Sequence, residues 1–172
     1  MRFGKPMPPA ASGNAAQLLN QAVAHHQAGR LIEAQGLYRQ LLAASPRHFD
    51  ATHLLGVIAL QTGALDEARR LIAEAIQVNP KAGAAHNNLG TVHLRAGRLN
   101  AARECFERAV KLQPGDADAL LNLGTVLRQL GRQRDAAAAL RRAVAANAKS
   151  AEAHNLLGAA LLDLGDARTA VR

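Results

Sequence analysis

The sequence predicts an all-α solenoid built from stacked antiparallel helix pairs, and three observations predict it. Five glycines fall at one spacing: Gly29, Gly63, Gly97, Gly131 and Gly165, each 34 residues after the last. A second ladder, Gly56, Gly90, Gly124 and Gly158, keeps the same step. With background glycine at about 7%, four successive hits in a preset register have odds on the order of 10⁻⁵. Apolar residues also recur at helical spacing through both halves of the unit, as in Leu89, Val92, His93 and Ala96, then Ala102, Phe106, Ala109 and Val110. No strand pattern appears anywhere.

The elements follow in order. Residues 1–14 begin MRFGKPMPPAASG, with Pro6, Pro8 and Pro9. This stretch has basic residues but no apolar h-region, so it reads as a disordered leader and not as a secretory signal. Repeats start near residues 15, 49, 83, 117 and 151. First helices are predicted over 15–28, 49–62, 83–96, 117–130 and 151–164, and second helices over 31–44, 65–78, 99–112 and 133–146. The glycine between the halves sits where a helix must stop, in the left-handed conformation that glycine adopts at little cost. The glycine inside the first helix costs about 1 kcal/mol against alanine. Its recurrence implies a gain, most simply close approach of the neighbouring helix backbone. Pro46, Pro80 and Pro114 end the second helices, because the proline ring blocks helical continuation. Asn14, Asp116 and Ser150 are expected N-caps. The last unit is incomplete at Arg172, which leaves Leu156, Leu157, Leu161, Leu162 and Leu164 on a helix with no following partner. Since repeat arrays end in a polar cap, this suggests the N-terminal piece of a longer protein.

Further columns agree. Ala34, Ala68, Ala102, Ala136 and Ala170 share one slot, and Leu55, Leu89, Leu123 and Leu157 another, with Gln21 in the first repeat. A bulky slot holds Tyr38, Ile72, Phe106 and Leu140. This 34-residue register closely resembles that of the tetratricopeptide repeat (TPR) family over residues 15–172. The resemblance implies a TPR α-solenoid, a right-handed superhelix of antiparallel helix pairs. It also implies a concave groove lined by the first helices, which takes a protein or peptide ligand.

On that reading, the first-helix residues opposite the packing seam are the candidate partner-binding site. Steps of three and four give Ala84, Asn88, Thr91 and Arg95 in the third unit and Asp118, Asn122, Thr125 and Gln129 in the fourth. The first unit gives Ala16, Asn20, Val23 and Gln27. Asn20, Asn88 and Asn122 form an interrupted asparagine ladder. Each amide offers donors and an acceptor and so can clamp an extended peptide backbone. The expected site is Asn20, Asn88, Thr91, Arg95, Asn122, Thr125 and Gln129.

Chaperone-adaptor members of the family grip a C-terminal carboxylate with basic residues from these helices. Here the matching places hold Ala16, Asp50, Ala84, Asp118 and Glu152, which would repel one. The ladder, with AHNNLGTVHLRAGRL at 85–99, looks more like the TPR region of O-linked N-acetylglucosamine transferases. The preferred reading is a non-enzymatic protein- or peptide-binding scaffold. The alternative is the substrate-recognition region of a larger bacterial transferase, a glycosyltransferase or sulfotransferase, whose catalytic domain lies outside these residues.

Net charge is +8, concentrated in the fourth unit, where Arg128, Arg132, Arg134, Arg141, Arg142 and Lys149 face Asp118 and Asp135. Aromatics are only 2% of the chain, too few for a nucleic-acid surface with stacking residues, so a solvated arginine-rich face is expected and nucleic acid is not. His86 and His154 share one slot, and His25 and His93 another. No HExxH or CxxC pattern exists, and neither metal nor cofactor is expected. Cys105, the single cysteine, has no acid–base partner in register and fits a reducing compartment. No apolar run reaches 18 residues, so a cytoplasmic location is expected and a membrane span is not. Abundant arginine and alanine point to a GC-rich bacterial genome.

Overall fold

A computed structural model describes residues 9–169, with side chains from Asn14 to Gly165. Those residues form nine helices and no strands: α1 (Pro9–Gln27), α2 (Leu31–Ala44), α3 (Phe49–Gln61), α4 (Leu65–Val78), α5 (Gly83–Arg95), α6 (Leu99–Leu112), α7 (Ala117–Gln129), α8 (Gln133–Ala146) and α9 (Ala151–Thr169). The four second helices have the bounds expected from sequence, and α3, α5 and α7 end one residue early. The helices fall into two compact units, divided between Val78 and Asn79. In the first, α1–α4 pack in sequence around Ala22, Ala34, Tyr38, Leu41, Ala51, Ile58 and Leu71. In the second, α5–α9 do so around Ala102, Phe106, Leu120, Val126, Ala136, Leu140 and Ala160, and α7 also touches α5 and α9.

The turn inside each pair is the same four times. Gly97 has φ +70°; its N–H donates to the Leu94 carbonyl (3.0 Å), and the Arg98 N–H donates to the His93 carbonyl (2.9 Å). This pair of bonds is the Schellman motif, which satisfies carbonyls left open at the helix end. Gly29, Gly63 and Gly131 repeat it. Gly165 does not. It lies within α9, which runs on to Thr169, so the break expected after residue 164 is absent. No second helix packs back on α9 among the described residues, and tertiary packing is what favours the reversal elsewhere.

Three glycines inside the first helices, Gly56, Gly90 and Gly124, form notches, whereas Gly158 has nothing near it. A Cβ on Gly90 would sit 2.5 Å from Cε1 of Phe106, and one on Gly56 would sit 2.6 Å from Cγ1 of Ile72. At Gly124 the obstacle is Leu140. The expectation of close backbone approach is therefore corrected. The bulky column of the following helix plugs each notch, and only at Gly56 is a neighbouring backbone atom, the Ile72 nitrogen at 3.2 Å, among the nearest. Tyr38, Ile72, Phe106 and Leu140 are all fully buried, as are Ala34, Ala68, Ala102 and Ala136.

Two expected caps form. Asp116 Oδ1 accepts from the Asp118 and Ala119 N–H groups (3.0 and 3.1 Å), and Ser150 Oγ accepts from Ala153 (3.2 Å). Asn14 does not cap, because α1 already begins at Pro9. Of the expected leader over 1–14, residues 9–14 lie in α1, and residues 1–8 lie outside the described ones. Ala148 holds the place of Pro46 and Pro114, yet α8 ends with the same bond as α2 and α6, from Asn147 N–H to the Ala143 carbonyl (2.9 Å). Of the leucines on α9, Leu156 and Leu157 pack against the core of their unit, whereas Leu161 and Leu162 are exposed.

Candidate functional site

In the second unit, α5 and α7 lie side by side and present the expected polar stripe. Asn88, Thr91, Asn122 and Thr125 are half-buried, and Arg95 and Gln129 are exposed. The two threonines are partly committed: Thr91 Oγ1 donates to the Asn87 carbonyl (3.1 Å) and Thr125 Oγ1 to the Leu121 carbonyl (3.0 Å). With their hydrogens spent on their own helices, both hydroxyls remain as acceptors only.

Asn122 is held from the side. Its Nδ2 donates to Asn87 Oδ1 at 3.0 Å, across α5 and α7. Asn87 was not among the expected site residues. The reading aligned asparagines of equal slot, one repeat apart, but the bond joins residues 35 apart. The same offset recurs. Arg128 Nε donates to Asp163 Oδ2 (2.7 Å) between α7 and α9, and in the first unit His26 Nε2 meets Gln61 Oε1 (3.0 Å) between α1 and α3. Spatial neighbours on successive first helices are thus one residue beyond the sequence period. Asn20, the expected member from the first unit, is exposed on α1.

The basic surface of the fourth unit is less bare than its sequence suggests. Arg128 pairs with Asp163, and Arg132 pairs with Asp135 at 2.6 Å. Arg142 Nη2 donates to the Pro114 carbonyl (3.3 Å). The slot shared by His86 and His154 has a local role. Each Nε2 lies 3.1 Å from the carbonyl six residues before it, Pro80 and Ala148, and so ties the start of α5 and α9 to the preceding turn. His53 is buried and stacked on Phe49, with ring centroids 5.5 Å apart. Its desolvation holds its pKa below the ordinary 6.5, against the opposing pull of Asp50. Burial, aided by the Glu104 charge, pushes the Cys105 thiol up to about 11, so it is no nucleophile at neutral pH. Among the described residues, no helix is long and apolar enough to cross a membrane.

Helix pairs locked by glycine notches, with side chains of mixed polarity along the first helices, define a helical-repeat interaction scaffold. The chain belongs to the tetratricopeptide-repeat family: two models of that family, both described as Tetratricopeptide repeat, match residues 25–91 and 81–149. Similar solved structures include MamA, with TM-score 0.76 and 22% identity over 84% of this chain and 84% of that one. Another is YrrB, described as a TPR protein with an unusual peptide-binding site, with TM-score 0.73 and 21% identity over 85% of this chain and 75% of that one. A mutant of the O-GlcNAc transferase of Thermobaculum terrenum matches with TM-score 0.75 and 21% identity, over 80% of this chain but 27% of that one. No curated protein matches the chain. At these identities, the likeness shows the fold.

Proposed function

We propose that the chain is a non-enzymatic scaffold that binds an extended peptide along the α5–α7 face, with Asn88 and Asn122 pairing to its backbone and Thr91, Arg95, Thr125 and Gln129 beside them. The observation that carries this reading is the Asn122–Asn87 bond. It fixes the Asn122 carboxamide while using one of its two amide hydrogens, which leaves the carbonyl oxygen and the second hydrogen outside that bond. A fixed donor–acceptor pair matches the N–H and C=O of a peptide unit, and its orientation is set before binding, which lowers the ordering cost. Asn20 offers an exposed amide on α1 of the first unit.

The test is Asn88→Ala with Asn122→Ala, assayed against peptides selected from an immobilised random dodecapeptide library. Each lost hydrogen bond costs about 0.5–1.5 kcal/mol net, so affinity should fall roughly five- to hundredfold. The loss should be similar across peptide sequences, because backbone is read. Circular dichroism controls for the fold, since Asn122 also bonds Asn87. Neutralising Arg141 and Arg142 should matter only for acidic peptides, with an effect that fades as salt rises. If the arginine pair abolishes binding and the asparagine pair does nothing, the functional surface lies elsewhere.

A further inference from the structure

We infer that the cavity of about 410 Å³ bounded by Val23, His26, Gln27, Tyr38, Leu54 and Gln61 is an anchor pocket for one neutral carbonyl-bearing side chain, asparagine or glutamine, of a bound peptide. The inference rests on the peptide-binding reading. It lies wholly in the first unit, and Val23, Gln27, Leu54 and Gln61 occupy the same stripe slots there as the asparagine, threonine and arginine of α5.

The bulky column is pure hydrocarbon in three repeats, at Ile72, Phe106 and Leu140, but in the first it is Tyr38. Tyr38 is fully buried, and its hydroxyl has no hydrogen-bond partner among the described residues. A buried hydroxyl without a partner is destabilising, and phenylalanine fills the equivalent slot without one, as Phe106 does. Tyr38 is also one of the residues lining the cavity. Burial raises its pKa, so at neutral pH the group is an O–H donor.

The remaining lining suits the same occupant. The His26 ring stands edge-on to the Tyr38 ring, with centroids 6.3 Å apart and planes at 80°. Its Nε2 faces Gln61 Oε1, so the ring nitrogen donates there and the Gln61 amide hydrogens stay outside that bond. Val23 and Leu54 supply apolar surface for methylene groups. No lysine, arginine, aspartate or glutamate borders the cavity. With no cation beside the cavity to offset the desolvation of a carboxylate, a neutral acceptor is favoured. The volume, at the small end for ligand pockets, leaves room for such a side chain together with the adjoining part of a longer ligand.

The experiment uses the full chain and the random dodecapeptide library. Peptides enriched on the native chain should carry asparagine or glutamine at one fixed position. Tyr38→Phe should bind them roughly 5–30-fold more weakly, the loss of one hydrogen bond that leaves a ligand carbonyl unpaired. Its melting temperature should stay level or rise. Replacing the fixed asparagine or glutamine by alanine should make native and Tyr38→Phe chains bind alike. Equal binding of the enriched peptides by both chains overturns the pocket, as does an apolar residue at the fixed position. A lower melting temperature for Tyr38→Phe does so too, since the hydroxyl would then have a partner in the free protein. Binding that responds to Asn88→Ala with Asn122→Ala but not to Tyr38→Phe removes the pocket and leaves the peptide-binding reading. A library that yields no binder removes both.

Discussion

Gly90→Ala and Gly158→Ala make the same chemical change on two first helices of one unit, and the structure assigns them opposite signs. In an exposed helix interior, glycine to alanine gains about 1 kcal/mol. Gly158 is exposed, and a Cβ there would meet nothing within 4 Å, so Gly158→Ala should realise that gain. At Gly90 the new carbon would sit 2.5 and 2.6 Å from Cε1 and Cδ1 of Phe106. That is roughly 1 Å inside the favourable carbon–carbon separation. Phe106 is fully buried, so its ring cannot swing clear into solvent. Overpacking of this kind costs about 1–3 kcal/mol. Set against the propensity gain, Gly90→Ala should range from neutral to about 2 kcal/mol less stable. The two variants should differ by about 1–3 kcal/mol. For a chain of this size each kcal/mol moves the melting temperature by about 2–4 °C, so the gap is readable by circular dichroism at 222 nm. Urea titration checks that the slope is unchanged. Equal upward shifts for both variants would refute the notch, because helix propensity alone would then explain the column.

Two further outcomes follow from buried titratable groups. His53 titrates below 6.5 in the folded chain, so between pH 6.5 and its lowered value the unfolded chain holds more protons. Its neutral burial therefore stabilises the fold above pH 6.5, and that contribution is lost as pH falls through the lowered value. The melting temperature should drop from pH 7 to pH 5, and His53→Gln should flatten that part of the slope; an unchanged slope would show that His53 titrates normally. For Cys105, a rise from 9.0 to about 11 cuts the thiolate fraction at pH 8 by about 100-fold. Because a thiolate of higher pKa is also the better nucleophile, native chain should react with a disulfide reagent at least roughly tenfold more slowly than chain unfolded in urea, and equal rates would contradict the burial.

The helices were legible because their signals are local and repeated. The apolar spacing gave their type, and glycine at the left-handed position gave their ends, as at Gly97 and Gly131. Residues fixed by tertiary context were harder to read. Gly165 holds the same register slot as Gly131, yet α9 runs through it, with no second helix packed back on it among the described residues. Asn14 looked like a cap, but it lies inside α1. The candidate site was half legible. The stripe of Asn88, Thr91, Asn122 and Thr125 does lie on adjacent helices, but Asn87 was overlooked as the partner of Asn122. A pairing one residue beyond the repeat length is invisible to an alignment of equal slots. The opposite charges of Arg128 and Asp163 were the one sequence signal that could have revealed it.

That offset bears on where specificity resides. The packing columns keep the 34-residue step, and their glycine notches receive Ile72, Phe106 or Leu140 alike. The links at 35 residues differ in kind: His26 with Gln61, Asn87 with Asn122, Arg128 with Asp163. Stability does not explain their variety. Arg128 and Asp163 are each 38% exposed, and exposed ion pairs contribute about 0–1 kcal/mol. The Asn87–Asn122 amide bond is of the same small order. What each link does fix is the orientation of polar side chains on the first helices. Orientation matters to binding far more than to folding, since a carboxamide held in place presents its unused donor and acceptor without an ordering cost. One invariant frame thereby carries a different polar constellation at each step: donors without fixed charge between α1 and α3, amides between α5 and α7, an ion pair between α7 and α9. Within each unit a ligand on the proposed first-helix face would meet that unit's own constellations, and the glycine and alanine columns would serve every ligand alike.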